Sequence, residues 1–148
     1  MKRKLLSVLL TFCLAFSLLP TAALADGENV AKVGGTGYAT LAEALDVAQD
    51  GDTVTLLADR TEDVTIGKNI TLDLGGKTLT NTNAGKATLT VAAGATATVM
   101  NGNIVGGTSF YTIQNNGTAT LKDVTAKAGN TGSSMIDNYG DLTINSGS

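Results

Sequence analysis

Three phrases decide the fold: "GATATV" at Gly94–Val99, "GTATL" at Gly117–Leu121 and "GDLTI" at Gly140–Ile144. Their opening glycines are 23 residues apart each time, and their closing apolar residues Val99, Leu121 and Ile144 are 22 and 23 apart. A second column runs upstream. Val91, Ile113 and Ile136 are separated by 22 and 23, and Asn115 and Asn138 follow at 23. Leu72, inside "ITLDL" at Ile70–Leu74, precedes Val99 by 27, as one longer turn would require. The segments "TVTLL" (Thr53–Leu57), "VTI" (Val64–Ile66), "ATLTV" (Ala87–Val91) and "YTI" (Tyr111–Ile113) alternate apolar and polar residues, with Gly and Asn between them. That alternation predicts short strands.

A repeat in the low twenties made of two or three short strands predicts a β-solenoid. Each coil stacks on the one before at about 4.8 Å, so equivalent strands pair in parallel and inward residues form columns. A single coil cannot bury those residues alone; stacking supplies the core. Asn101, Asn115, Asn116, Asn138 and Asn145 fall at the expected bends, where Asn tolerates unusual backbone angles and side-chain amides can stack. Asn-Gly also makes hairpin turns, so an antiparallel sandwich is the rival. A sandwich needs no fixed 23-residue register, which favours the solenoid.

One segment departs from this pattern. "TLAEALDVAQ" (Thr40–Gln49) carries Leu41, Ala44, Leu45 and Ala48 at i, i+3, i+4 and i+7, a single apolar stripe. Thr40 and Glu43 form a capping box, and Asp50-Gly51-Asp52 closes the helix. So short a helix is unstable alone. Residues 38–52 are therefore expected to form a capping helix and turn over the first coil, with residues 53–148 as the coils.

The first 25 residues read as a secretory signal peptide: a basic start at Lys2, Arg3 and Lys4, an apolar run from Leu5 to Leu19, Pro20, and a small-x-small cleavage site at Ala23 and Ala25. The run is short of the roughly 20 residues that span a bilayer, which argues against a membrane anchor. Cys13 lies inside the run with Leu14–Leu19 beyond it, so it is apolar filler and not a lipidated cysteine. Removal of this segment leaves no cysteine, and seven basic residues against thirteen acidic ones, a net charge of −6. Stability must then come from burial and backbone pairing without disulfides. Nucleic acid and anionic membranes are poor partners for so acidic a chain. Residues 26–37, with "GGTG" at Gly34–Gly37, are expected to be a flexible lead; the motif lacks the Lys and Ser/Thr of a nucleotide loop.

Gly37–Gly76, "GYATLAEALDVAQDGDTVTLLADRTEDVTIGKNITLDLGG", resembles the opening segment of the pectate-lyase-like, right-handed parallel β-helix superfamily. Ala87–Ser148 match it only as generic repeats. The resemblance implies an all-β, right-handed parallel β-helix with an N-terminal α-helical cap, in a secreted or cell-surface bacterial protein. Its enzymes act on acidic polysaccharides. The lyases hold calcium with clustered carboxylates and use an Arg or Lys as base, and the hydrolases use several aspartates and a His.

The chemistry for either reaction is sparse in this chain. It has no His, and Arg60 is the only arginine after the signal peptide. Asp73, Asn101 and Asp123 are expected in one column, acid, neutral, acid; Asp137 falls 23 after Gln114 and is likewise without a second carboxylate. A general acid/base pair needs two close carboxylates. Asp59, Arg60, Glu62 and Asp63 form the densest charged stretch, read as a solvated loop with Arg60 pairing locally; calcium binding is the alternative, without a regular ligand spacing. No catalytic, cofactor or metal residue is assigned and no cofactor is expected. Phe110 and Tyr139 are expected to face solvent and Tyr111 to face inward, which makes the first two a small candidate platform for sugar. Asn69 and Asn116 match the glycosylation sequon, relevant only in a glycosylating pathway.

The chain ends at "LTINSGS", partway through a repeat and without a second cap, so it reads as a piece of a longer protein. The leading functional expectation is a non-catalytic scaffold or adhesin-like module, its partners an extracellular glycan or cell-wall component, and downstream coils or a second copy at the open end. The alternatives are a polysaccharide lyase or glycoside hydrolase with catalytic coils further on, and a glycan-binding module.

Overall fold

The structure, a computed structural model, describes residues 28–108, 110–129 and 134–147. The expected signal peptide and its cleavage residues Ala23 and Ala25 lie outside the described residues. The chain from Thr53 onward is a parallel β-solenoid of about four turns.

Its strands are β3 (Thr53–Leu56), β4 (Arg60–Thr61), β5 (Val64–Ile66), β6 (Ile70–Asp73), β7 (Thr78–Thr80), β8 (Leu89–Val91), β9 (Thr96–Val105), β10 (Ile113–Asn115), β11 (Thr118–Lys127), β12 (Ile136–Asn138) and β13 (Asp141–Ser146). One sheet stacks β3, β6, β9, β11 and β13 in that order, with β4 on β7 and β7 on the second half of β9. The other stacks β5, β8, β10 and β12. Every one of these pairings is parallel.

The columns follow from the alternation. Leu72 pairs with Val99, Val99 with Leu121 and Leu121 with Ile144, the register that the 27-, 22- and 23-residue spacings predict, and Val54 extends it by one coil. Ile113 over Ile136 and Asn115 over Asn138 also hold. One expectation fails. Val91 stacks on Asn115, and Leu89 takes the place beside Ile113. The reason is corner length: Val91 and Thr96 are five positions apart, whereas Asn115 and Thr118 are three apart. The slip is two residues, so inward parity survives it.

Leu79, Ile104 and Ala126 form a further column that the three phrases did not reveal. Asn101 (φ 59°) and Asp123 (φ 55°) bend β9 and β11 in the middle, and the chain continues as strand beyond them. Both residue types tolerate the left-handed region, which is why the corner can be a single residue. Gly75 (φ 57°) and Gly76 (φ 77°) turn the matching corner one coil earlier, just after Leu74, whose amide donates to the Met100 carbonyl.

The expected flexible lead is instead largely a hairpin. Strand β1 (Ala31–Val33) pairs antiparallel with β2 (Thr36–Tyr38) and with β3, adding two strands to the large sheet. Gly34 takes φ 58° and Gly35 does not, the pattern of a type II′ turn, so "GGTG" is turn chemistry.

The helix, α1 (Leu41–Val47), follows and packs on β1, β2, β3 and β5. Leu41, Ala44, Leu45 and Ala48 are buried in the common core, as the stripe predicts. Its ends differ from expectation. Thr40 accepts from the Glu43 amide at 3.1 Å, but the remaining free N–H groups of Leu41 and Ala42 donate to Glu62, at 3.0 and 3.3 Å. At the other end the helix stops before Gly51. Its last carbonyls, Leu45, Asp46 and Ala48, accept from Lys68 Nζ, the first at 3.3 Å and the third at 2.8 Å. Both ends are thus capped by charges from the connections on either side of β5, an acid at the positive end of the dipole and a base at the negative end.

Candidate binding groove

The acidic side chains decide what chemistry the coils can do. Asp50 accepts from the Asn69 amide at 3.0 Å, Asp59 from the Thr78 amide at 2.8 Å, and Asp63 from the Thr82 amide at 2.8 Å. Each partner is 19 residues on, at the matching place in the next coil. The Asp63 carboxylate also accepts from the Thr82 hydroxyl at 2.7 Å. Asn69 passes the pattern on, its amide oxygen accepting from the Thr96 amide at 2.9 Å. These are clips: a carboxylate or amide from one coil satisfies a corner N–H of the next, a charge-assisted bond where the acceptor is ionised.

The remaining candidates are placed in the same way. Asp73, Asn101 and Asp123 share one corner, with Asn101 Nδ2 donating to Asp73 at 3.1 Å and the Ser146 hydroxyl to Asp123 at 2.6 Å. Gln114 stacks on Asp137 and donates to it at 3.3 Å. Arg60 pairs with Glu62 at 3.0 Å, the local pairing expected, and Arg60–Thr61 is a short strand, not a loop. Among the described residues no three His, Cys, Asp or Glu side chains converge as metal ligands, and no helix is long and apolar enough to cross a membrane.

Asn115 is fully buried at the corner between β10 and β11. Its Nδ2 donates to Asn138 Oδ1 at 2.7 Å and to the Asp141 carbonyl at 2.9 Å, while Oδ1 accepts from the Gly117 amide at 3.2 Å. The expected amide stacking is therefore real between these two coils. Gly117 and Gly140 stack beside it so closely that a Cβ on Gly140 would meet the Gly117 carbonyl oxygen.

The aromatic residues separate. Tyr139 is 74% exposed at the corner after β12, whereas Phe110 precedes β10 at the other end of the small sheet. They do not form one platform. Tyr111 is half-buried and not in the core; the buried place before Ile113 goes to Thr112, whose hydroxyl donates to the Lys127 carbonyl at 2.9 Å. Tyr111 instead packs edge-on against Phe110, ring centres 5.0 Å apart and planes at 66°.

Phe110 overlooks a groove of about 340 Å³ on the outer face of the small sheet, with Asp63, Thr65, Lys86, Thr90 and Gln114 among its walls and floor. Its origin is again crossing length. Only Glu62 and Asp63 separate β4 from β5, but residues 81–88 separate β7 from β8 and 106–112 separate β9 from β10. The long crossings carry Lys86 and Phe110, which line the groove together with Asp63 of the short one. The floor is a ladder of outward side chains, Thr65 beside Thr90 beside Gln114, and Asp137 continues the ladder beyond the groove. The sequence carried this signal in its register, once Leu89 and not Val91 is set beside Ile113.

Comparisons with protein-family models, curated proteins and solved structures find no match for the chain.

Proposed function

We propose that the chain is a non-catalytic β-helix module of a secreted or cell-surface bacterial protein, related to the pectate-lyase-like right-handed superfamily, and that it serves as a rigid scaffold or adhesin-like stalk. The observation that carries this reading is the set of clips. Asp50, Asp59, Asp63 and Asn69 each tie a backbone N–H of the following coil, and Glu62 ties the helix. Carboxylates of that kind are the raw material of the superfamily's active sites, and in this chain they hold coil to coil. A side chain so engaged is not poised to move protons, but it stiffens the rod along its axis.

The outermost coil supports the expected partner at that end. Leu121 is 3% exposed and its neighbour in the column, Ile144, is 56% exposed, which leaves an apolar side chain for a further coil, downstream or from a second copy, to cover. The test is direct. The mature chain, incubated with polygalacturonate and with neutral polysaccharides, is expected to release no unsaturated or reducing ends, and the exported protein is expected to start at Asp26. Turnover of either substrate class by the purified chain would overturn the non-catalytic reading. Retention of an uncleaved leader on a cytoplasmic product would overturn the location.

A further inference from the structure

We propose that Asn116–Gly117 is a deamidation site, and that the side chain of Asn115 holds it closed while the corner is folded. The site stands independently of the scaffold reading.

The chain contains two Asn-Gly pairs, Asn101–Gly102 and Asn116–Gly117. Asparagine before glycine readily loses its side-chain amide, because glycine has no Cβ to hinder the approach. The glycine backbone nitrogen attacks the asparagine Cγ, and a C–N bond forms. The Cγ–Nδ2 bond breaks, and the amide leaves as ammonia with the proton that the glycine nitrogen gives up. Water then opens the cyclic imide at either carbonyl, which leaves aspartate or isoaspartate. Water is the only co-reactant, and the first step needs a glycine N–H that is free to turn.

In the folded corner that N–H is taken. Gly117 donates to Asn115 Oδ1 at 3.2 Å. Asn115 is fully buried, and its Nδ2 is held by Asn138 and by the Asp141 carbonyl, so the acceptor stays in place. The backbone on either side is pinned to neighbouring coils. The Asn116 amide donates to the Val91 carbonyl, the Thr118 amide to the Ala95 carbonyl and the Asp141 amide to the Gly117 carbonyl, each at 2.9 Å. Gly117 lies so close to the Ala92 and Ala95 carbonyls that a Cβ would collide with both. Asn116 itself is only half-buried. The bond that restrains the nucleophile therefore comes from a single side chain.

Asn101–Gly102 is closed by other means. It lies within β9, with Gly102 in register with Val124 of the next coil. The Asn101 carbonyl accepts from the Gly76 amide of the coil before, and its side chain donates to Asp73 at 3.1 Å. Strands on both sides must part before this pair reacts, whereas loss of one side chain unlocks Asn116. An ordinary hydrogen bond keeps its group closed by roughly five- to thirtyfold. Reaction at Asn116 carries a structural consequence. Isoaspartate adds a backbone atom to a corner in which Asn115 and Thr118 are only three positions apart, and so sets that coil out of step with its neighbours.

The experiment ages the mature chain in mildly alkaline buffer, native and in urea, and follows aspartate and isoaspartate at both pairs by peptide mapping. Both pairs are expected to convert readily in urea and at least about fivefold more slowly in the native chain. Asn115→Ala is expected to speed native conversion at Asn116 by at least about fivefold and to leave Asn101 near its parent rate. Asn115→Asp loses both donated bonds but keeps the acceptor for Gly117, so Asn116 is expected to stay near the parent rate. Leu72→Ala, which loosens the core elsewhere, is expected to raise both pairs or neither. Hydrogen exchange on the parent needs no variant: protection of the Gly117 N–H is expected to match the slowing of Asn116. Native conversion of Asn116 at the urea rate, or while the Gly117 N–H stays protected, would overturn the proposal. So would an unchanged rate in Asn115→Ala, an equal rise at Asn101, an equal rise in Asn115→Asp, or a rise confined to Asn116 in Leu72→Ala.

Discussion

Replacing Asn115 with alanine tests whether the corner amides hold the coils together or merely fit there. The side chain is fully buried and makes three hydrogen bonds, to Asn138, the Asp141 carbonyl and the Gly117 amide. At about 1 kcal/mol net for each bond, Asn115→Ala should cost about 3 kcal/mol. The Gly117 amide, left without its partner, can raise that by a further ~1 kcal/mol or more. Asn138 is the control. It shares one of the three bonds and donates to the Gly140 carbonyl at 2.9 Å, but it is exposed, so water replaces what Asn138→Ala removes. That variant should cost less than about 1 kcal/mol. Asn115→Asp separates shape from bonding: it keeps the acceptor for Gly117 and loses both donated bonds. It should cost at least as much as alanine. Urea unfolding of the four proteins, with midpoints compared at a common slope, gives the numbers. If Asn115→Ala costs under 1 kcal/mol, or Asn138→Ala costs as much as it does, the corner is held by something else and the reasoning fails.

Three further outcomes are expected. Leu72→Ala, in the middle of the best-buried column, should cost about 2–5 kcal/mol, whereas Ile144→Ala in the same column should cost under about 1 kcal/mol because that side chain is more than half exposed; thermal midpoints that fall equally would show that the column is not the core. Gly140→Ala drives a methyl toward the Gly117 carbonyl and should cost about 1–3 kcal/mol, read as a clear drop in thermal midpoint, with a neutral outcome showing that the two coils can separate there. Glu62→Gln keeps the shape but removes the charge that faces Arg60 and the helix start; with Arg60 37% exposed the pair is partly screened, so the expected cost is about 1 kcal/mol. That cost should shrink as salt is raised, and a salt-independent cost would mean the charge does not matter.

The solenoid was legible because stacked coils must repeat their inward residues. Leu72, Val99, Leu121 and Ile144 sit in register in the chain as they do in the sequence spacing. Corners were legible only in part. A corner can lengthen by two residues without moving an inward side chain outward, so Val91 could be set beside the wrong partner by spacing alone. Asn101 was legible as a bend, because Asn tolerates left-handed backbone; that Asp123 repeats the bend, and that the strand runs on beyond both, was not, since hydropathy does not mark a single-residue corner. The hairpin of β1 and β2 was hidden by its glycines, which serve a tight turn and a mobile lead equally well. The clips were the least visible. An aspartate 19 residues before its partner has meaning only when the coil length is known, and the first coil is shorter than the later ones: Thr53 pairs with Thr71, and Ile70 with Ala97. The groove joins residues from three coils, and no local pattern announces that Lys86, Phe110 and Gln114 line it together.

The unequal crossings between β4 and β5, β7 and β8, and β9 and β10 have an evolutionary consequence. The inward columns are indifferent to how many residues the chain spends outside them. Doubling such an excursion costs only about 0.6 kcal/mol of closure entropy. Selection can therefore rewrite the margin of the sheet, exchanging one recognition surface for another, while the stacked interior is inherited unchanged. Descendants of one ancestral rod could diverge in what they grip long before they diverge in how they fold.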